Sequence, residues 1–542
     1  MKTKWSTAAW LVVTTSLVVS AASPAGVSPM LVSSTYLGSS EGDGPNSWLK
    51  RFSVDASGTL YFAQSTYHTD FPVTANAYSQ TYNGGSEQWG KEDLAVVEFD
   101  IKQNALKYAS YFGGKTGPDF VTQVLRHKNS VYLAGNTGSS DLPVTSNAYD
   151  KTFNGPDFRH ADGYIARFDD NKLSYLTYLG TSGADWIQSI FVNDNGEMIV
   201  VGVFKEWNEL PITHKFSDEK LEHKGNACVL RFNAKGDAIL SATLLGPSWY
   251  LDAVRDREGN IYVAGTTTSK SFPVSAQAYD TSHNGGTPEG LGDLFVTKLT
   301  PTGDKILFST FLGGTMDENP PSICLDAANN IIVYASTKSS DLPVTANALR
   351  RSLAGKQDAF LAKLSNDGAR LLYLSYLGGT EKVGEGAGNV VAAKNGDIYL
   401  SGSTDAADFP VTPNAIQSAV KGGIDIFVSV FDSRLTTLKF STFLGGSANE
   451  GATIDVDNSG DVIGVGATTS ADFPTTPGAY SPALKGRTDY VIFKISMTGR
   501  PGQTSHRPYL TGTGARLDRR SVARAGLATS AILLRPRPVT SQ

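Results

Sequence analysis

Seven times along this chain the same three signals return in the same order, and a repeat of that kind admits few folds. The first signal is a short apolar run ending in glycine, as in Thr35-Tyr36-Leu37-Gly38 and Ser375-Tyr376-Leu377-Gly378. Its glycines fall at 38, 113, 180, 246, 313, 378 and 445. The second is an apolar residue followed by proline, at Pro72, Pro143, Pro211, Pro273, Pro343, Pro410 and Pro474. The third is a strand-like run usually opened by aspartate, such as Asp162-Gly-Tyr-Ile-Ala-Arg-Phe168 and Asp489-Tyr-Val-Ile-Phe-Lys-Ile495.

Each unit reads as four strands. In the fifth they fall near Ser322–Leu325, Ile331–Ala335, Phe360–Leu364 and Leu371–Leu377, separated by turn residues such as Asn366-Asp367-Gly368. The strands are apolar on both faces, as expected when each sheet is sandwiched between two others. With 55 Gly and 24 Pro a helical bundle is excluded, and 2 Cys exclude a disulfide-stapled scaffold. An all-β, seven-bladed β-propeller of four-stranded antiparallel blades is predicted over residues 31–495. The last unit lacks its glycine-ended strand, and the extra strand Leu31–Leu37 supplies that pattern. It is expected to pair with the last blade and close the ring, with an open solenoid as the rival arrangement.

The Tyr-Leu-Gly-Gly strand ends, the Asp70-Phe71-Pro72-Val73 loop and the Asp358-Ala-Phe-Leu-Ala-Lys-Leu364 strand resemble the bacterial beta-propeller repeat family called SBBP. The resemblance implies a seven-bladed propeller in exported or surface proteins, and it carries no shared catalytic set. Blade three departs from the pattern at Glu209-Leu-Pro-Ile212 and at Asn226, where the opening aspartate is missing.

The two ends differ from the repeats. Lys2 and Lys4, an apolar run from Ala8 to Val19 and small residues at Ser20–Ala22 read as a signal peptide over residues 1–22. With no later apolar stretch long enough to span a bilayer, a secreted or cell-surface protein is expected. No Asn-x-Ser/Thr sequon occurs, which favours a bacterial source. Residues 496–542 carry eight arginines and one aspartate and read as a disordered tail. With tail and signal set aside, 37 basic residues face 51 acidic ones, so the net charge of −5 conceals a repeat body near −14. Such a body repels nucleic acid.

In a propeller the scaffold repeats, so function is sought where the repeats differ. Name the strands of a blade a to d from the channel outward. The b–c loops and d–a connections then share one face, the loop face, and the a–b and c–d turns share the other, the turn face. Trp48, Trp186, Trp249 and Tyr250 fall at d–a connections; His160, His214, His223 and His283 fall in b–c loops. All belong to blades one to four, and no His or Trp stands on this face in blades five to seven. Aromatic rings with His and Arg at their edges suit a polysaccharide or another envelope component. Each residue also has a purely structural reading, as a loop anchor or hydrogen bonder.

Catalytic motifs are scarce. His160, Tyr250, Arg255 and Arg159 are the candidates for a carbohydrate-active lyase or hydrolase on the same face, the alternative to a binding module. One acid per blade follows the glycine-ended strand: Asp43, Asp119, Asp185, Asp252, Glu318, Glu385 and Glu450. These acids are expected at the channel mouth, either attracting a cation or, as the favoured reading, accepting N–H bonds in their own connections. Asp455-Val-Asp-Asn-Ser-Gly-Asp461 has the opening of a calcium loop but Gly466 where the loop needs glutamate. Neither a metal nor another cofactor is expected. Cys228 and Cys324 lie in non-adjacent blades and are expected as buried thiols. A monomer is expected.

Overall fold

The computed structural model describes residues 28–43, 52–84, 92–155, 161–221, 224–287, 290–380 and 384–499. The expected signal peptide, the expected tail beyond 499, Trp48, Arg159, His160 and His223 lie outside these residues. Seven sheets are present, each with four antiparallel strands in the order a, b, c, d, and blade three carries a short fifth strand, paired parallel, outside its strand d. The a strands are Ser53–Val54, Asp119–His127, Asp185–Val192, Leu251–Arg255, Ser322–Leu325, Gly386–Ala392 and Glu450–Val456. The b and c strands are buried almost throughout; strand b of blade one, Thr59–Thr66, is buried at all eight positions. That is the double-faced burial the apolar patterning requires.

The ring closes as expected. Met30–Leu37 is strand d of blade seven and pairs antiparallel with strand c, Asp489–Ser496, in the register Met30↔Ser496 to Leu37↔Tyr490. A radial ring with no free blade edge in its circuit is the outcome.

Polar side chains join the a strands around the axis. Gln123 Nε2 donates to Ile190 O at 3.1 Å and its Oε1 accepts from Ile190 N at 2.9 Å. Asn389 repeats the device on Ile454, at 2.7 and 2.8 Å. Asp252 accepts from Ile323 N at 2.9 Å, and Ser53 accepts from Arg126 N at 2.9 Å. These bonds satisfy backbone groups that no strand reaches on the channel side.

The proline motif has a structural task. After the apolar-Pro pair each b–c loop descends along the outer edge of its own strand d: Thr74 N donates to Ala109 O at 3.0 Å, Thr145 N to Leu176 O at 3.1 Å and Thr412 N to Ser441 O at 3.1 Å. The motif's apolar residue is buried, with Phe71 and Phe409 each 2% exposed. The strand-d tyrosine pins this loop. Tyr178 Oη accepts from Leu142 N at 2.9 Å and donates to Ser139 O at 2.8 Å, and Tyr376 does the same for Leu342 and Ser339. The outer strand is thereby covered rather than left as a template for aggregation.

On the turn face, charges are paired within or between neighbouring turns, as in Lys363–Asp326 at 2.8 Å and Lys439–Asp397 at 2.6 Å. Lys494 lies 2.7 Å from Asp457 and 3.1 Å from Asp461, so a lysine occupies the segment with the calcium-loop opening. Cys228 and Cys324 are buried and unbridged. Among the described residues no helix is long and apolar enough to cross a membrane.

Candidate functional site

The blade junctions follow one rule, which the sequence shows only in part. Six of the seven acids that follow the glycines are inside the junctions and not at the channel mouth: Asp43, Asp119, Asp185, Glu318, Glu385 and Glu450 are all buried. They accept bonds from the connection and from strand b. Asp119 takes Gly114 N at 2.8 Å and the Thr137 hydroxyl at 2.5 Å; Glu318 takes Gly314 N at 3.3 Å, Thr337 at 3.0 Å and Ser339 at 2.7 Å. The cation-attracting ring considered from sequence is therefore replaced by the local-capping reading.

The aspartate opening the preceding strand c is buried beside it. At Gly113 a Cβ would lie 2.3 Å from Asp93 Oδ1 and 2.6 Å from Asp119 Oδ2; at Gly445 the figures are 2.6 Å for Asp425 and 2.5 Å for Glu450. The glycine of the first motif is thus required because two carboxylates fill the room a side chain would take. Burial pushes these acids up: Asp43 to about 6, Asp119 to about 7 and Glu318 to about 8, with their hydroxyl and N–H donors holding them partly back. A second clamp comes from the proline loops, where Asp141, Asp341, Asp408 and Asp472 accept N–H bonds of 2.7–3.0 Å from the preceding connection.

The junction between blades three and four breaks all three parts of this rule. Asn226 replaces the opening aspartate; it is fully buried, and neither its Oδ1 nor its Nδ2 has a hydrogen-bond partner. Asp252 is turned to the channel, where it holds Ile323 N. Ser271 stands where the proline loop otherwise has its acid, and Glu219 reaches across from blade three to the Ser269 and Ser271 hydroxyls. Strand d runs on past Gly246, spanning Ile239–Ser248, and delivers Trp249 and Tyr250 to the connection.

Trp249 and Tyr250 are both partly exposed, their ring centroids 6.1 Å apart and their planes at 32°. Lys224 Nζ lies 5.8 Å from the Trp249 centroid and donates to Gly290 O, bringing a positive charge to the aromatic pair. Trp186, second residue of its strand a, is half-buried and packs on the cluster of Val201, Val203, Leu251 and Phe272 between the same two blades. Trp249 and Tyr250 therefore stand together, and Trp186 packs in the apolar cluster of the same interface.

Of the expected histidines, the two described ones, His214 and His283, are held by partners other than these rings. His214 lies in a two-residue strand, His214–Lys215, that pairs parallel with strand d at the outer edge of blade three; its Nδ1 is 2.9 Å from the Thr213 hydroxyl. His283 sits edge-on to Phe311 at 5.6 Å, with Nε2 3.0 Å from Thr267 O. Both serve as loop anchors. Arg255 ends the strand that begins after Tyr250, so the two are separated by roughly 16 Å of extended chain and stand on opposite faces. Arg255 lies toward the a–b turn, where its guanidinium is 3.1 Å from the Cβ position of Gly259.

A cleft that no sequence motif marks, about 510 Å³ in volume, opens between blades six and seven and is lined by Gly386, Gly388, Gly402, Asn449, Gly451 and Thr469 among others. Its walls are mostly backbone, hydroxyls and small side chains. The run Gly384-Glu-Gly-Ala-Gly388 is the signal that could have located it, since missing side chains make the room.

The fold and junctions define a seven-bladed propeller assembled from one repeated unit. Residues 254–273, spanning the end of strand a and strand b of blade four with its proline motif, match the family model described as Beta-propeller repeat, SBBP. No curated protein matches the sequence. Among solved structures the chain is similar to a protein of unknown function from Dyadobacter fermentans, at TM-score 0.41 and 10% identity over 87% of this chain and 99% of that one. It is also similar to a quinohemoprotein alcohol dehydrogenase from Comamonas testosteroni, at 0.43 and 9% over 90% and 79%. A polysaccharide lyase, an ulvan lyase, matches at 0.42 and 9% over 87% and 96%. At this distance none of the three likenesses bears on function.

Proposed function

We propose that this protein is an exported binding module that takes a polysaccharide or another cell-envelope component on its loop face, at the junction of blades three and four. Trp249 and Tyr250 provide stacking area, Lys224 a positive charge, and Trp186 the packing that fixes the junction. One observation carries the reading: the junction that abandons the buried acid pair is the one that presents the aromatic pair. Local departures from a fold's own rule are where function is placed. Binding is preferred to catalysis because Tyr250 and Arg255 stand on opposite faces.

The test is retention of the purified protein on a panel of immobilised polysaccharides, with release of unsaturated and reducing ends followed in parallel. The double variant W249A/Y250A should lose at least about tenfold in affinity for the retained polymer while its thermal unfolding is unchanged. Equal retention by the variant would remove the proposed platform. Product release would replace the module with an enzyme.

A further inference from the structure

We propose that the buried acid pairs at the repeated blade junctions each hold one proton between their two carboxyl groups, so that the ring takes up protons from water when it closes. This goes beyond the loop-face reading and does not depend on it.

The geometry is clearest between blades four and five. Asp293 and Glu318 are fully buried, and Asp293 Oδ1 and Glu318 Oε2 both lack a hydrogen-bond partner. Both oxygens lie within 2.8 Å of the single point where a Cβ on Gly313 would stand. The other oxygen of each acid is satisfied: Asp293 Oδ2 accepts from Asn284 N at 2.7 Å, and Glu318 Oε1 from Thr337, Ser339 and Gly314. At two further junctions one of the facing oxygens is unpartnered, Asp93 Oδ1 and Asp425 Oδ1, while the oxygen across from it, Asp119 Oδ2 or Glu450 Oε2, accepts a single N–H, from Gly114 or Gly446.

Two ionised carboxylates facing each other in a dry interior, with no donor between them, repel and are unsolvated. One proton removes a charge and supplies the missing donor, giving an O–H···O⁻ bond of the strong, charge-assisted kind. Two carboxylates make a poor cage for calcium or magnesium, which take six or more oxygens. Among the described residues no group of three His, Cys, Asp or Glu is placed to hold a metal.

The groups facing this pair are His283 and Asp280 from the blade-four loop, Asp317 from the connection, and Asp341 and Tyr376 from blade five. His283 is the one basic side chain in this set, and its Nε2 is 3.0 Å from Thr267 O. Burial raises Asp293 and Glu318 above the ordinary carboxylate range. A carboxyl raised on folding stabilises fully below its unfolded value of about 4 and loses that contribution as pH rises through its folded value.

Infrared titration of the full chain tests the proposal. The C=O stretch of protonated carboxyl groups should persist at about pH 7, where exposed carboxyls have ionised, and the Glu318→Gln variant should lose part of that band. Between about pH 5 and pH 9 the wild-type melting temperature should fall, and E318Q, whose amide supplies a fixed N–H donor, should fall less. No protonated-carboxyl band in the wild type at about pH 7 would overturn the proposal without requiring any variant to fold. A melting temperature lowered by a chelator in the wild type but not in E318Q would also overturn it, placing a metal ion where the proton is assigned.

Discussion

Ser34 on the first strand donates a 2.6 Å hydrogen bond to the carbonyl of Pro474 in the last blade's b–c loop, 440 residues away. Thr476 binds the same residue through both main chain and side chain, and Tyr36 Oη donates to Ser470 O at 2.8 Å. The first strand is therefore locked by the last blade's loop as well as by its ladder. Deleting Leu31–Leu37 exposes the edge of Asp489–Ser496 and should lower the thermal midpoint sharply and broaden the transition. Replacing Tyr36 by Phe removes one hydroxyl contact and should cost about 1 kcal/mol. Calorimetry checks both, and an unchanged midpoint in the deletion would contradict closure.

The acid pairs make opposite predictions for two glycines. A Cβ on Gly313 would stand 2.6 Å from Glu318 Oε2, whereas one on Gly451 meets nothing within 4 Å. G313A should destabilise by about 1–3 kcal/mol through overpacking. G451A should stay within about 0.5 kcal/mol of wild type. Urea titrations of the pair measure this, and equal effects would show that the room at Gly313 is not reserved for carboxylates.

The polar bridges around the channel can be weighed in the same way. Asn389→Leu strands Ile454 N and O, each of which it now holds within 2.8 Å, and should cost about 1–3 kcal/mol. Gln188 occupies strand a of blade three with its Oε1 buried and unpartnered. Gln188→Leu should be close to neutral. Denaturant midpoints at constant slope distinguish the two, and a costly Q188L would refute this contrast between the bridges.

Export has a direct readout. Expressed in a secreting bacterial host, the mature chain should begin just after Ala22, as read by intact mass. Recovery of the chain with Met1 and Lys2 retained would refute the signal-peptide reading.

Periodic features were legible in sequence because periodicity writes itself into residue type. Proline at 72, 143 and 410 marks the point from which each loop descends, apolar runs on both strand faces pointed to the sandwiched sheets, and the glycine-ended pattern of Leu31–Leu37 pointed to the closing strand. Pairing across a junction was not legible. Asp93 and Asp119 are 26 residues apart, and nothing local to either says that both crowd Gly113. The acids were consequently expected at the channel mouth, although burial had placed them inside. Trp249 and Tyr250 could be found as a departure from repetition. His214 could not be separated from them, because its position at the outer edge depends on how far its loop descends beside strand d.

The register Met30↔Ser496 has a consequence for how the molecule would be carried. Strand d of blade seven runs from Met30 at the turn face to Leu37 at the loop face, and its partner runs back to Ser496. Met30 and Ser496 thus stand opposite each other at the turn face, the end of the blade away from Trp249 and Tyr250. A surface coupled at Met30 or Ser496 would therefore hold the propeller by its turn face, with Trp249 and Tyr250 at the end opposite the attachment.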